Sequence, residues 1–202
     1  MSRLWDATVL NWSRIAANGR EIVIDFVYSV GEYDEEDKPM VIRSMPSIPG
    51  CEGRAYRLRE SIAVFGLGFH GLATLAVLDL LEADKVYSFL ASPGSSEEYV
   101  TRCREINKEL IKSPKMEAVL ELPLSSIEKC YRFLAETIAP HRPDGEITLV
   151  PMGPKPHVLA SILVAMRFQE VACLRVSGAP YPLDVKPTGG IIATRVIVQG
   201  VF

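Results

Sequence analysis

Cysteine is scarce in this chain of 202 residues, and its four thiols, Cys51, Cys103, Cys130 and Cys173, never fall in a CxxC pair. That pattern excludes a disulfide-stapled small scaffold. Histidine is scarcer still, with three residues, and no His, Cys or carboxylate pair has the spacing of metal ligands. Neither sign of charge dominates: 22 Lys and Arg stand against 25 Asp and Glu, a net of -3. This balance argues against a dedicated nucleic-acid or membrane-surface binder, and no direct DNA binding is expected. No apolar run reaches the ~18 residues of a membrane-spanning helix, since the longest, Leu72 to Leu81, is interrupted by Thr74 and Asp79. The opening residues, Met1 to Trp12, carry Arg3, Asp6 and Asn11 and do not read as a secretory leader. Reduced thiols in a cytoplasm are the expectation. Two catalytic signatures are also missing: there is no G-x-S-x-G elbow and no G-x-x-x-x-G-K-[ST] loop.

What is present is an ordinary globular composition, 48% hydrophobic and 23% charged with 14 Gly and 14 Pro, in a length suited to one domain with an appended subdomain. The first turns read as an amphipathic helix that gathers Leu4, Trp5, Val9, Leu10, Trp12 and Ile15 and stops at Asn18-Gly19. Trp5 and Trp12, seven residues apart, are expected in the core, and become interface candidates if the chain is a protein-interaction scaffold. Ile22 to Tyr28 is a β-rich run. With a second apolar piece around Met40 to Ile42 it predicts a β-hairpin whose acidic tip, Asp34 to Asp37, is solvated. Arg43 to Gly53 holds Pro46, Pro49, Gly50 and Gly53 and reads as a turn-dense connector. The boundary is placed near residue 58, giving an N-terminal helix and hairpin extension over 1–58 and an α/β domain over 59–202.

Beyond that seam, strands alternate with helices, the pattern of βαβ units and a mostly parallel sheet in three αβα layers. Strands are expected at Ile62 to Phe65, Val86 to Leu90, Ala118 to Leu122, Ile147 to Val150 and Ala172 to Val176, several as continuous apolar runs covered on both faces. Helices are expected at Leu72 to Ala83, Ser96 to Ile111, Ser126 to Ile138 and His157 to Phe168. Ser95 with Glu98, and Ser125 with Glu128, have capping-box spacing. A last strand, Ile191 to Val198, follows a Pro-rich excursion. Cys103 and Cys130 fall in helices and Cys173 in a strand, where core packing explains them.

Open parallel sheets bind ligands beyond the carboxyl ends of their strands, where the strand order reverses. Two strand-to-helix loops carry suitable residues. Gly66, Leu67, Gly68, Phe69, His70 and Gly71 spell G-x-G-x-x-G between a strand and a helix, where glycine amides and a helix start suit a phosphate. The acidic ribose partner of a nicotinamide dinucleotide is missing, because the next strand ends at Ala91-Ser92. The second loop, Pro151-Met152-Gly153-Pro154-Lys155-Pro156-His157, sets two prolines and a lysine at a helix start and is built like a stiff anion cradle. Two of the three histidines, His70 and His157, lie one in each loop and are the candidate catalytic residues, as acid or base near neutral pH. His141 reads as a surface residue near a helix C-terminus. Ser92 could meet a ligand hydroxyl.

On these two loops, residues from about Ser61 to Val198 resemble the CRISPR-associated Rossmann-fold sensor domains. The resemblance lies in the early strand followed by Gly66 to Gly71 and the later strand followed by Gly153-Pro154-Lys155, with Pro154 in place of the family's hydroxyl residue. It implies a Rossmann-like fold, a homodimer, and a pocket across the dimer axis for a cyclic oligonucleotide. The expected function is binding of a phosphate-bearing nucleotide by Gly66, Gly68, Phe69, His70, Gly71, Ser92, Gly153, Pro154, Lys155 and His157. The rivals are an enzyme in the same crevice, either an NAD(P)-dependent oxidoreductase or a nucleotide hydrolase, and an interaction scaffold.

Overall fold

A computed structural model describes residues 3–32, 40–54, 60–178 and 186–199. In chain order the elements are α1 (Arg3–Ala16), β1 (Glu21–Gly31), β2 (Ile42–Ser44), β3 (Ser47–Glu52), β4 (Ser61–Gly66), α2 (Gly71–Leu81), β5 (Lys85–Ala91), α3 (Glu97–Ile106) and α4 (Lys108–Ile111). They continue with β6 (Met116–Leu122), α5 (Ile127–Ile138), β7 (Glu146–Pro151), α6 (Lys155–Arg167), β8 (Val171–Leu174), β9 (Ser177–Gly178) and β10 (Pro187–Gln199). A six-stranded sheet in the order β3-β8-β7-β4-β5-β6 is parallel throughout except for β3, which runs antiparallel to β8.

Alternation along β4 divides the core. Ala63 and Phe65 face α2, α3 and α4, packing with Ala73, Val77, Cys103 and Leu110. Ile62 and Val64 face α1, α5 and α6, packing with Leu10, Leu134, Ile138, Leu159 and Ile162. Helices on both faces explain why β4, β5 and β7 read as continuous apolar runs rather than alternating ones. The chain leaves β4 for β5 and β6, then returns to β7 on the other side of β4. This is a Rossmann-like three-layer fold.

The expected hairpin changes partners. β1 pairs antiparallel with β10, from Glu21 opposite Gln199 to Ser29 opposite Ile191. The short β2 pairs instead with β9. Length decides this: β1 and β10, of 11 and 13 residues, match in unbroken alternation from Glu21 to Ser29 before the register shifts, whereas β2 has three residues to offer. The acidic tip and the boundary at residue 58 lie outside the described residues. The connector from Arg43 to Gly53 is largely strand, as β2 and β3, and β3 closes one edge of the main sheet.

Two local expectations shift as well. The helix over Ser96 to Ile111 is interrupted at Asn107, whose side-chain amide donates to the carbonyls of Cys103 at 2.8 Å and Gly68 at 2.7 Å. An amide side chain that bonds backbone competes with helix continuation. The caps are Ser96 and Ser126, one residue later than expected, each accepting from the amide three positions on, Tyr99 and Lys129, at 3.2 Å. Each helix begins later by the same step.

Trp5 and Trp12 are not in the core: they are 62% and 64% exposed, and Ile15 is 79% exposed. The buried face of α1 carries Asp6, Ala7, Leu10 and Ser13. Close docking on β3 enforces small side chains there. Asn11 donates to the Pro49 carbonyl at 2.8 Å, and a Cβ on Gly50, whose φ is +81°, would fall 2.1 Å from the Asn11 amide nitrogen. Asp6 is the cost of this arrangement. It accepts from the Tyr28 hydroxyl at 3.2 Å, its other oxygen is buried without a hydrogen bond, and burial holds its pKa above the ordinary carboxylate value.

A carboxyl that keeps its proton longer in the fold contributes stability below its unfolded pKa and loses it as pH rises through the folded one. Replacing Asp6 with Asn keeps an acceptor for Tyr28 and removes the buried charge. We expect the melting temperature of Asp6→Asn relative to wild type to increase between about pH 4 and about pH 8; calorimetry at the two pH values checks this.

Candidate functional site

β4 and β7 are parallel neighbours over their full length, with Gly66 opposite Pro151. The two loops therefore leave the sheet side by side at the point where strand order reverses, the position at which open α/β sheets bind ligands. They touch through backbone. Met152 N–H donates to the Gly66 carbonyl at 2.9 Å, a Cβ on Gly68 would lie 2.4 Å from the Met152 carbonyl oxygen, and one on Gly153 would lie 2.7 Å from that of Leu67. Any ligand rests on top of this contact and not between the turns.

Each glycine of G-x-G-x-x-G has a packing reason. Beside Gly66 lies the Phe89 ring, whose Cζ would be 2.8 Å from an added Cβ, and beside Gly71 the Ile106 carbonyl oxygen would be 2.1 Å away. The Gly68 carbonyl accepts from Asn107 and from the Cys103 thiol. Thr74 ties α2 to both loops, donating to the His70 carbonyl at 2.9 Å and contacting the Met152 sulfur at 3.6 Å. Gly66, Gly68 and Gly71 are buried, whereas Phe69, His70, Gly153 and Pro154 are half-buried and Lys155 is exposed.

Helix starts set the electrostatics. α3 and α5 open under serine caps, but α2 at His70 and α6 at Pro154 open with no side-chain cap, so the first-turn N–H groups at the strand reversal are left to the dipole end. Lys155, the first residue of α6, adds a full positive charge. Its field reaches Asp6 on α1, where it opposes the upward push of burial on that carboxyl.

The two histidines separate. His70 begins α2 on one face of the sheet. His157, on the other face, is 1% exposed, packs at 5.6 Å against the Phe89 ring, and directs Nε2 to the Pro123 carbonyl at 3.3 Å. Its Nδ1 is buried without a hydrogen bond, and burial pushes its pKa down to about 4. The sequence held a signal for this, since α6 is apolar on every side around it. His141 is half-buried, hydrogen-bonded to the Tyr87 hydroxyl at 2.9 Å. Ser92, at the end of β5, donates to Glu121 at 2.7 Å, and Arg104 pairs with the same carboxylate. The Ser92 bond, then the arginine, hold Glu121 below the usual carboxylate range. Glu121 therefore brings to this strand end the acid that the β5 sequence lacks, from the neighbouring β6. Sequence alone hides it, because it alternates with Leu120 and Leu122 as any strand residue does.

No protein-family model matches the chain. No curated protein matches it significantly either. The site therefore stands on its own geometry. Among the described residues no group of three His, Cys, Asp or Glu side chains is positioned to hold a metal ion, and no helix is long and apolar enough to cross a membrane. All four cysteines are buried and outside any disulfide, and burial pushes the Cys51, Cys103 and Cys130 thiols up to about 12, far from nucleophilic reactivity.

Two measurements follow. Gly71→Ala should cost about 1–3 kcal/mol of stability, the usual range for overpacking, because its Cβ meets backbone and not a flexible side chain; denaturant unfolding reads this. His157 has its folded pKa lowered, so its contribution to stability is present above its ordinary value near 6.5 and is lost as pH falls toward about 4. His157→Gln should flatten that acid limb, which amounts to about 3 kcal/mol at most.

Proposed function

We propose that this chain binds a phosphate-bearing nucleotide over the paired loops at the carboxyl ends of β4 and β7, with cyclic oligonucleotides among the ligands that fit. The observation that carries the reading is the juxtaposition of two helix starts without side-chain caps at the strand reversal, beside the exposed cation Lys155. Backbone N–H groups at a helix N-terminus bind phosphate oxygens, and the dipole favours the negative charge. In this reading Gly153 and Lys155 take the phosphate, Pro154 fixes the backbone between them, and Phe69 and His70 border the sugar or base. Gly66, Gly68, Gly71 and His157 build the floor. Ser92, with Glu121, offers acceptors to a ribose hydroxyl. The protein acts as a cytoplasmic homodimer.

The enzyme reading loses one of its two histidines, because His157 is buried behind the loop, and rests on His70 alone. The ligand-binding reading is tested by thermal-shift measurements with AMP, ATP, NAD(P) and cyclic oligoadenylates. A ligand at about 100 times its Kd adds about 2.7 kcal/mol. Lys155→Ala should weaken phosphate-dependent binding at least about tenfold while leaving the unliganded melting temperature nearly unchanged. Equal shifts in wild type and variant would remove Lys155 from the site, and no shift with any of these compounds would overturn the reading.

A further inference from the structure

The β1–β10 ribbon has an inner row, with Phe26, Tyr28 and Ile192 buried, and an outer row that faces away from the core. Cross-strand partners in the outer row are Val23 with Ile197, Asp25 with Arg195, Val27 with Ala193 and Ser29 with Ile191. An antiparallel sheet with one wet face carries polar residues on that side. Here Val23, Val27, Ile191 and Ile197 are 50%, 62%, 70% and 54% exposed. Apolar side chains gathered on a solvent face mark an interaction site, and a two-stranded ribbon gains little stability by itself.

The middle of the row identifies the occupant. Arg195 forks onto both oxygens of Asp25 at 2.7 and 2.9 Å, and this exposed pair divides the apolar residues into two groups. We propose that the outer face of the ribbon is an isologous interface with a second copy of this chain, related by a two-fold axis that runs along the strands. Such a rotation keeps height along the ribbon and exchanges its left and right strands. It sets Asp25 of each copy against Arg195 of the other, Val23 against Ile197 and Val27 against Ala193. Charge meets opposite charge at the centre, apolar meets apolar in the levels on either side of it, and Ser29 meets Ile191 at the end of the row. A two-fold axis across the strands would instead oppose Asp25 with Asp25. Face-to-face packing of ribbons with aligned strands is the ordinary geometry of stacked sheets, and reciprocal contacts are the signature of a two-fold interface. This inference does not depend on the nucleotide reading.

The test is the mass of the full chain in solution, by sedimentation and light scattering. Wild type is expected at twice the monomer mass of 22.3 kDa. Asp25→Arg and Arg195→Asp each place like charges at the centre of the face, and each variant alone should be monomeric. Mixed in equal amounts, the two should recover the dimer mass, because one face is then wholly positive and the other wholly negative. A misfolded ribbon would not do so. Val23→Thr combined with Ile197→Thr keeps strand preference and should weaken dimerisation at least about tenfold. A wild-type chain that stays monomeric, single-charge variants that keep the dimer mass, or a mixture that stays monomeric would each overturn the proposal, the first pointing to a different protein as the occupant.

Discussion

Backbone packed directly on backbone, where the loops after β4 and β7 meet, is the constraint from which the rest of the molecule follows. Gly68 against the Met152 carbonyl and Gly153 against the Leu67 carbonyl leave no space for a side chain on either side. This closeness brings two helix starts to one place, one from each face of the sheet. It also explains why Asn107 breaks its helix: the buried Gly68 carbonyl needs a donor, and the asparagine amide supplies it. The glycine spacing that reads in sequence as a phosphate loop is satisfied first by packing, and any ligand role is layered on top.

The legible part of this fold is the part with local causes. β4 through β8 and the four long helices after β4 appear in sequence at nearly their final limits, because strands covered on both faces are apolar runs and two of the helices, α3 and α5, show serine near their starts. What stayed hidden depends on distant partners. β1 finds β10 about the whole chain away, and no local pattern distinguishes that choice from a nearby hairpin. The side of α1 that turns inward is set by how closely Gly50 lets β3 approach, so small residues are buried and tryptophans face out.

The site divides along the same line. The loops, their glycines and Lys155 were readable because motif residues sit at fixed offsets from strand ends. Their adjacency at the strand reversal was a condition on topology, and the order of the sheet meets it. Less could be read about the supporting residues. Glu121 approaches Ser92 from another strand, and Asp6 reaches the neighbourhood of Lys155 from a helix about 150 positions earlier. Charges of this kind come together only after the layers assemble.

The pairing of chain ends carries a consequence for synthesis. β1, β2 and β3 find their partners in β10, β9 and β8, all made after the central parallel strands. β1, β2 and β3, with Val23 and Val27 in the first of them, therefore leave the ribosome with nothing to pair against until the strands from β8 onward have emerged. The parallel strands β4 to β7 lie between these partners in sequence. Chains stalled before β8 would carry β1, β2 and β3 as unpaired edges, open to the wrong partners.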